Sequence, residues 1–189
     1  RVQTGCEETC SYCIIPSTRG MSRSRPLEDV VRDIQRAVDA GYKEIVMTGV
    51  HLGSYGRDLS EGSSLSTLIR RLRDWPDDVL FRISSLEPMD CTPEIVEMVA
   101  SSHRIAPHFH LPLQHGSDAM LRAMRRPYTV SYYQRLIDRI TTVLPHASVG
   151  SDIIVGFPGE TAAHFTEMRV VLEQLPLTHL HVFPDSDRP

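Results

Sequence analysis

Cys6, Cys10 and Cys13 stand in one short run, Cys6-Glu7-Glu8-Thr9-Cys10-Ser11-Tyr12-Cys13, with the spacing C-x3-C-x2-C. A loop this tight can turn three sulfurs toward one point. Thiolates select zinc or an iron–sulfur cluster. Three ligands are one short of a closed tetrahedral zinc site. A cubane held by three cysteines keeps one iron free to bind a substrate or cofactor. The plainer alternative is a structural zinc completed by a distant His or by Cys91, although zinc sites usually pair their cysteines as C-x2-4-C knuckles. Cys91 lies far from the triad in sequence and reads as a bystander.

The remaining composition limits the function classes. The chain has 189 residues, 41% hydrophobic and 23% charged, which fits one soluble globular domain. No apolar run approaches the roughly 18 residues of a membrane span, and no signal-peptide pattern opens the chain. Four cysteines, three of them in one loop, do not make a secreted disulfide framework, so a reducing cytoplasm is expected. The formal net charge of -4 gives no global footprint for nucleic acid, so RNA contacts must be local or come from other parts. The abrupt start at Arg1 and stop at Pro189 read as an excised domain.

Strand and helix patterns alternate about six times. Leu27 to Ala40 is helical, with Val30, Val31, Ile34, Ala37 and Val38 on one face. Glu44 to Thr48 reads as a short buried strand. Leu65, Leu68, Ile69 and Leu72 mark a second helix, and Val79 to Ser84 a strand. Thr92-Pro93 opens a third helix as N-cap and first position. Phe109 to Leu113 is a strand, Ser117 caps a helix through Arg125, and Tyr133, Leu136, Ile137, Ile140 and Leu144 stripe another. Val149 to Val155 is the most apolar strand. Phe165, Met168, Leu172 and Leu175 line a last helix before a strand from His179 to Phe183. This alternation predicts an α/β fold with a parallel sheet and right-handed crossovers.

Ligands of parallel α/β sheets bind at the C-terminal ends of the strands. The six loops there are rich in chemistry-bearing residues, so they are expected to face one site. Gly49 and its neighbours Gly53 and Gly56 let backbone approach a ligand, although glycine-rich loops usually only turn. Glu87 can fix an amine or a ribose hydroxyl, or equally pair with a nearby Arg. Gln114 and Ser117 offer neutral hydrogen bonds. Gly156 and Phe157, in the run Gly156-Phe157-Pro158-Gly159, free backbone amides where an anion or ring edge can rest. His51 and His115 are better placed to touch a cofactor than His108 and His110, which alternate on a strand as packed histidines do, although such histidines more often pack than ligate. Arg122, Arg125 and Arg126 share one helical face, either a solvated face or a weak RNA-binding patch. The last loop is Phe183-Pro184-Asp185-Ser186-Asp187-Arg188.

The triad, with Tyr12 before its last cysteine, resembles the signature of radical S-adenosylmethionine enzymes. Cys13-Ile14-Ile15-Pro16-Ser17-Thr18-Arg19-Gly20, Leu111-Pro112-Leu113-Gln114-His115-Gly116-Ser117-Asp118, Met124-Arg125-Arg126-Pro127-Tyr128-Thr129, the run from Ser151 to Thr161, and His181-Val182-Phe183-Pro184 resemble the methylthiotransferase branch. The resemblance spans the whole chain. Thr48-Gly49-Val50-His51 and Arg82-Ile83-Ser84-Ser85-Leu86-Glu87 look most like the enzymes acting on N6-threonylcarbamoyladenosine at tRNA position 37. Enzymes acting on isopentenyladenosine or on a ribosomal-protein aspartate are the close alternatives. Asp185 departs from the family, which usually shows Tyr there.

The resemblance implies that residues 1–189 are a radical S-adenosylmethionine core, a partial (β/α)6 TIM-like barrel of six parallel strands. It implies a [4Fe–4S] cluster on Cys6, Cys10 and Cys13. S-adenosyl-L-methionine would bind the free iron, with Gly49, His51, Glu87, Gln114, Ser117, Gly156 and Phe157 as the cofactor-binding set. One-electron cleavage would give a 5'-deoxyadenosyl radical for C2 methylthiolation of the tRNA adenosine. Full family members add an N-terminal second-cluster domain and a C-terminal RNA-binding β-domain. The implied partners are tRNA and a flavodoxin-type electron donor, with no membrane, in a cytoplasmic monomer. A zinc-stapled RNA-binding module without catalysis is the rival class.

Overall fold

A computed structural model describes residues 1–59 and 62–186. Asp187 and Arg188, the end of the last expected loop, lie outside the described residues. The chain runs β1 (Gln3–Thr4), α1 (Ile15–Arg19), β2 (Arg23–Ser24), α2 (Leu27–Asp39), β3 (Glu44–Met47), a 3-10 turn (Leu52–Ser54), α3 (Leu65–Arg73), β4 (Leu80–Ile83), α4 (Pro93–Ala100), β5 (His108–His110), α5 (Asp118–Ala123), α6 (Val130–Val143), β6 (Ser148–Val155), α7 (Ala162–Gln174) and β7 (His179–Pro184).

Local chemistry sets the helix ends. Ser64, Thr92 and Thr129 each accept the backbone N–H three residues on, at 3.1, 3.3 and 3.2 Å, and so cap α3, α4 and α6. Thr161 and His164 close a reciprocal capping box on α7. Leu65, Leu68, Ile69 and Leu72 of α3 and Tyr133, Leu136, Ile137 and Ile140 of α6 are buried, as their spacing predicts. The stripe expected on α7 is only partly buried. Met168 and Leu175 are covered, but Phe165 is exposed.

The α/β alternation is present, and the parallel ladders are shorter than expected. β3 pairs with β4, and β5, β6 and β7 form a three-stranded sheet, all parallel. Between β4 and β5 there is one bridge, Phe81 to Ile105, with Phe81 N donating to Arg104 O at 2.7 Å and Ala106 N to Phe81 O at 2.8 Å. Pro107 has no N–H to extend that ladder, and Pro112 likewise curtails β5, which was expected to reach Leu113. β1 pairs antiparallel with the unforeseen β2, while Val2 N donates to Thr48 O at 2.8 Å and ties the chain start to the end of β3.

The strands separate two environments by their period of two. Phe81, Ile83, Phe109, Val149 and Ile153 are buried with the helices. The other face carries Glu44, Arg82, His108, His110, Asp152, His179 and His181 and is polar and more open. β3 was therefore not fully buried as expected: Glu44 and Val46 are exposed, and Glu44 pairs with Arg82 at 2.6 Å.

Candidate active site

Gln3 anchors the cysteine loop at its base. Its side chain is buried; the amide nitrogen lies 2.8 Å from Gly5 O and 2.9 Å from Ser22 Oγ, and the amide oxygen accepts from Val50 N and His51 N at 2.9 Å each. One side chain thus joins β1 to the loop after β3. Gly5 has φ +75°, and a Cβ there would sit 1.9 Å from Met21 O. That close approach lets Cys6 N donate to Gly20 O at 3.0 Å and start the loop.

The far end of the loop docks on α5. Ser11 N and Oγ donate to Met124 O and Ala123 O, at 3.2 and 2.9 Å, and so satisfy carbonyls at the helix end. α5 stops there and does not reach Arg125. Arg125 N donates to Arg122 O and Arg126 N to Leu121 O, at 3.0 and 2.8 Å, with Arg125 at φ +57°. This is a Schellman turn made without glycine, followed by Pro127.

That turn corrects the arginine assignment. Arg122, Arg125 and Arg126 do not share a helical face, because Arg126 swings inward and is buried. Its guanidinium donates to Cys10 Sγ at 2.9 Å, lies over the Tyr128 ring 5.0 Å from the centroid, and ion-pairs with Glu87. Burial opposes its charge, but Tyr128, Tyr12 and Cys10 outweigh burial and hold the guanidinium above its usual range. Glu87 is thus paired with an arginine, the plainer of its two sequence readings.

Around Cys6 the partners differ. Its Sγ accepts from Glu8 N at 3.4 Å and lies 3.8 Å from His51 Nδ1. His51 is buried, and its Nε2 is 2.7 Å from Asp90 Oδ2. Asp90 Oδ1 in turn accepts from Arg57 at 3.0 Å. Asp90 fixes the ring through Nε2 and so turns Nδ1 toward Cys6 Sγ and toward Glu8 Oε1, 3.9 Å away. Burial pushes the Cys6 thiol above its usual range, and Glu8, Cys10 and Cys13 add to the rise. Thiolates are the ligand form of cysteine, and binding a metal releases the thiol protons. The soft donor set, the Glu8 amide and the Arg126 guanidinium fit a thiolate-held metal cluster.

The other expected residues divide. Phe157 packs with Met120, Met124, Ile154 and Tyr12, so the loop after β6 does reach the cysteine loop. Gly49 lies against Gln3, and its Cβ would meet Gln3 Oε1 at 3.0 Å. Gly156 has φ +78° and its N–H donates to Glu160. Gln114 extends the sheet from a left-handed conformation, φ 70°, rare for a residue with a side chain; its N–H donates to Asp152 O at 2.8 Å. Ser117 is buried beside His115, whose Nδ1 accepts from Ser117 N at 2.9 Å. Ser117 and Arg122 line a groove of about 1010 Å³ among α5, α6 and α7 that includes none of the cysteines. Cys91 is buried and its thiol is pushed up to about 12 by burial, as befits an inert core residue. Gln3, Asp90 and Tyr128 were missed; the Arg-Pro step after a helix was the one sequence signal for the turn that brings Arg126 and Tyr128 to the cysteines.

The model of the Radical SAM superfamily matches residues 1–171. The threonylcarbamoyladenosine tRNA methylthiotransferases MtaB of Bacillus subtilis and Thermotoga maritima are each 42% identical over the whole chain. The tRNA-2-methylthio-N(6)-dimethylallyladenosine synthase of Fusobacterium nucleatum is 38% identical over 97% of it. The chain spans 42% to 43% of the length of these relatives. Among solved structures, the radical S-adenosylmethionine methyltransferase TsrM from Kitasatospora setae, which holds cobalamin and a [4Fe–4S] cluster, superposes with a TM-score of 0.77 at 18% identity, over 97% of this chain and 33% of that one. Coproporphyrinogen III oxidase from Escherichia coli gives 0.68 at 14%, over 98% and 43%. The chain belongs to the radical S-adenosylmethionine superfamily. The cofactors of that superfamily are a [4Fe–4S] cluster and S-adenosylmethionine.

Proposed function

We propose that this chain is the catalytic core of a tRNA methylthiotransferase, directed at C2 of the N6-threonylcarbamoyladenosine at position 37. The observation that carries the reading is the convergence on one cysteine loop of His51, Glu87, Arg126 and Phe157, each from a different loop. Cys6, Cys10 and Cys13 are the proposed cluster ligands. A [4Fe–4S] cluster held by those thiolates would supply the one-electron reduction on which radical chemistry with S-adenosylmethionine depends.

The protein's own residues prepare that step. His51, held by Asp90, would fix the position of the Cys6 sulfur through Nδ1. Arg126 holds Cys10 Sγ by a charge-assisted hydrogen bond. Glu87 and the Phe157 loop would line the cofactor side, with Glu87 the carboxylate available there to an ammonium group. Gly49, Gln114, Ser117 and Gly156 shape the surrounding loops. Arg122 and Arg125 are left as the nearby surface cations for RNA.

The hydrogen bond from Val2 N to Thr48 O and the two-bond bridge of Phe81 to Ile105 support a six-stranded partial barrel running β1, β3, β4, β5, β6, β7. We read residues 1–189 as that core domain. tRNA and a flavodoxin-type electron donor are the proposed partners of a cytoplasmic monomer. Among the described residues, no helix is long and apolar enough to cross a membrane. Methylthiolation also needs a sulfur source, and the four cysteines here furnish one cluster site.

Anaerobic incubation with tRNA, reductant and S-adenosylmethionine, followed by nucleoside mass spectrometry, tests the reading. The expectation is cofactor cleavage without product from this chain, and methylthiolated threonylcarbamoyladenosine from the full-length protein. Methylthiolated isopentenyladenosine from the full-length protein would move the substrate to the other tRNA class.

A further inference from the structure

The open face of the sheet carries a second set of ligating side chains that the cysteine site does not use. The register sets His110 of β5 opposite Gly150 of β6, and His181 of β7 opposite Asp152 of β6. Asp152 therefore lies between two histidines. Its Oδ1 is 3.0 Å from His110 Nε2 and 3.1 Å from His181 Nδ1. The three ligand atoms all lie within 4.8 Å of one another. His179 leans over β6, where a Cβ on Gly150 would sit 1.9 Å from its Nε2. Its ring centroid is 5.8 Å from that of His110 and 5.6 Å from that of His181. Only a glycine at 150 admits that ring.

Both histidines address one oxygen of Asp152, so two imidazoles and a carboxylate converge on one point of the sheet face. Two imidazoles and a carboxylate suit first-row divalent ions, and are not the soft donors that hold iron–sulfur clusters. His181 is exposed, which gives an ion a path in.

We propose that His110, Asp152 and His181 form a second metal site, taking a divalent first-row ion of the zinc or cobalt kind through Nε2, Oδ1 and Nδ1. A fourth position is left to water or another ligand. The site is independent of the cluster assignment, since it shares no residue with the cysteine loop.

The test is an anaerobic cobalt titration of the cluster-loaded protein, whose thiols are already occupied. A single equivalent should bind with visible ligand-field bands and without intense thiolate-to-cobalt charge transfer, and zinc should displace it. His181→Gln alters an exposed residue and should weaken binding at least about tenfold with iron content and fold unchanged, and Asp152→Asn should do the same. His146→Gln, on a remote exposed residue, should leave binding as it was. Absence of saturable binding, thiolate charge-transfer bands, or an unchanged affinity in His181→Gln would each overturn the proposal.

Discussion

Two polar clusters of this domain combine similar groups at different depths. Around Cys10, the Arg126 side chain is 2% exposed and its charge meets Glu87, Tyr128 and a thiol. On the open strand face, the His181 side chain is 57% exposed and meets Asp152. A charge as deep as that of Arg126 loses most of its hydration and persists only because every direction offers a partner. Such a cluster is rigid and intolerant of deletion. The other cluster keeps access to water and ions at His181, so that residue can be changed at little expense to the fold.

The largest effect expected from that contrast is at the thiols. Cys10→Ser should lose essentially all bound iron and sulfide, as should Cys6→Ser and Cys13→Ser, while Cys91→Ser keeps the full complement. A Cys91 variant as empty as Cys10→Ser would break the assignment. Next, Arg126→Ala strands Glu87 beside the cysteines and should lower unfolding free energy by about 3–5 kcal/mol. Arg70→Ala, whose pair with Glu94 is half exposed and screened by water, should leave it nearly unchanged. Equal losses in urea denaturation would remove the distinction between the two depths.

A smaller effect is expected at the cofactor side. Glu87→Ala should weaken S-adenosylmethionine binding roughly tenfold or more, the worth of a buried hydrogen bond to a charged group at about 1.5–3 kcal/mol. Calorimetric titration of a folded, cluster-loaded variant with unchanged affinity would take Glu87 out of the site. The smallest effect concerns pH. Burial lowers the pKa of His115 and of His108, so the unfolded chain binds their protons first. Their contribution is therefore intact above the ordinary imidazole value of about 6.5 and is lost as pH falls below it, by at most about 1.4 kcal/mol per pH unit for each group. Stability curves of His115→Gln should show a shallower decline there; an identical slope would mean that His115 is not held neutral.

Much of this was legible because it depends on local pattern. The α3 and α6 stripes, the Thr92-Pro93 cap and the apolar β6 follow from periodicity and capping chemistry. The cysteine spacing was legible for the same reason. Arg126 was misread because its face depends on where α5 ends. Two non-glycine residues, Arg125 and Gln114, adopt left-handed backbone that no propensity predicts. Gln3 was overlooked because a buried amide serving two loops leaves no periodic trace. The open histidine face was visible as His108 and His110 alternating, but its meaning needed the register of three strands.

The central claim is that the converged loops make a radical-generating site at Cys6, Cys10 and Cys13. The most direct measurement is 5'-deoxyadenosine released by the anaerobically reconstituted chain with S-adenosylmethionine and a strong reductant. The account predicts slow release that requires the cluster and disappears in Cys10→Ser. A chain fully loaded with iron and sulfide that releases none, or one that takes up a single zinc in place of the cluster, would contradict it.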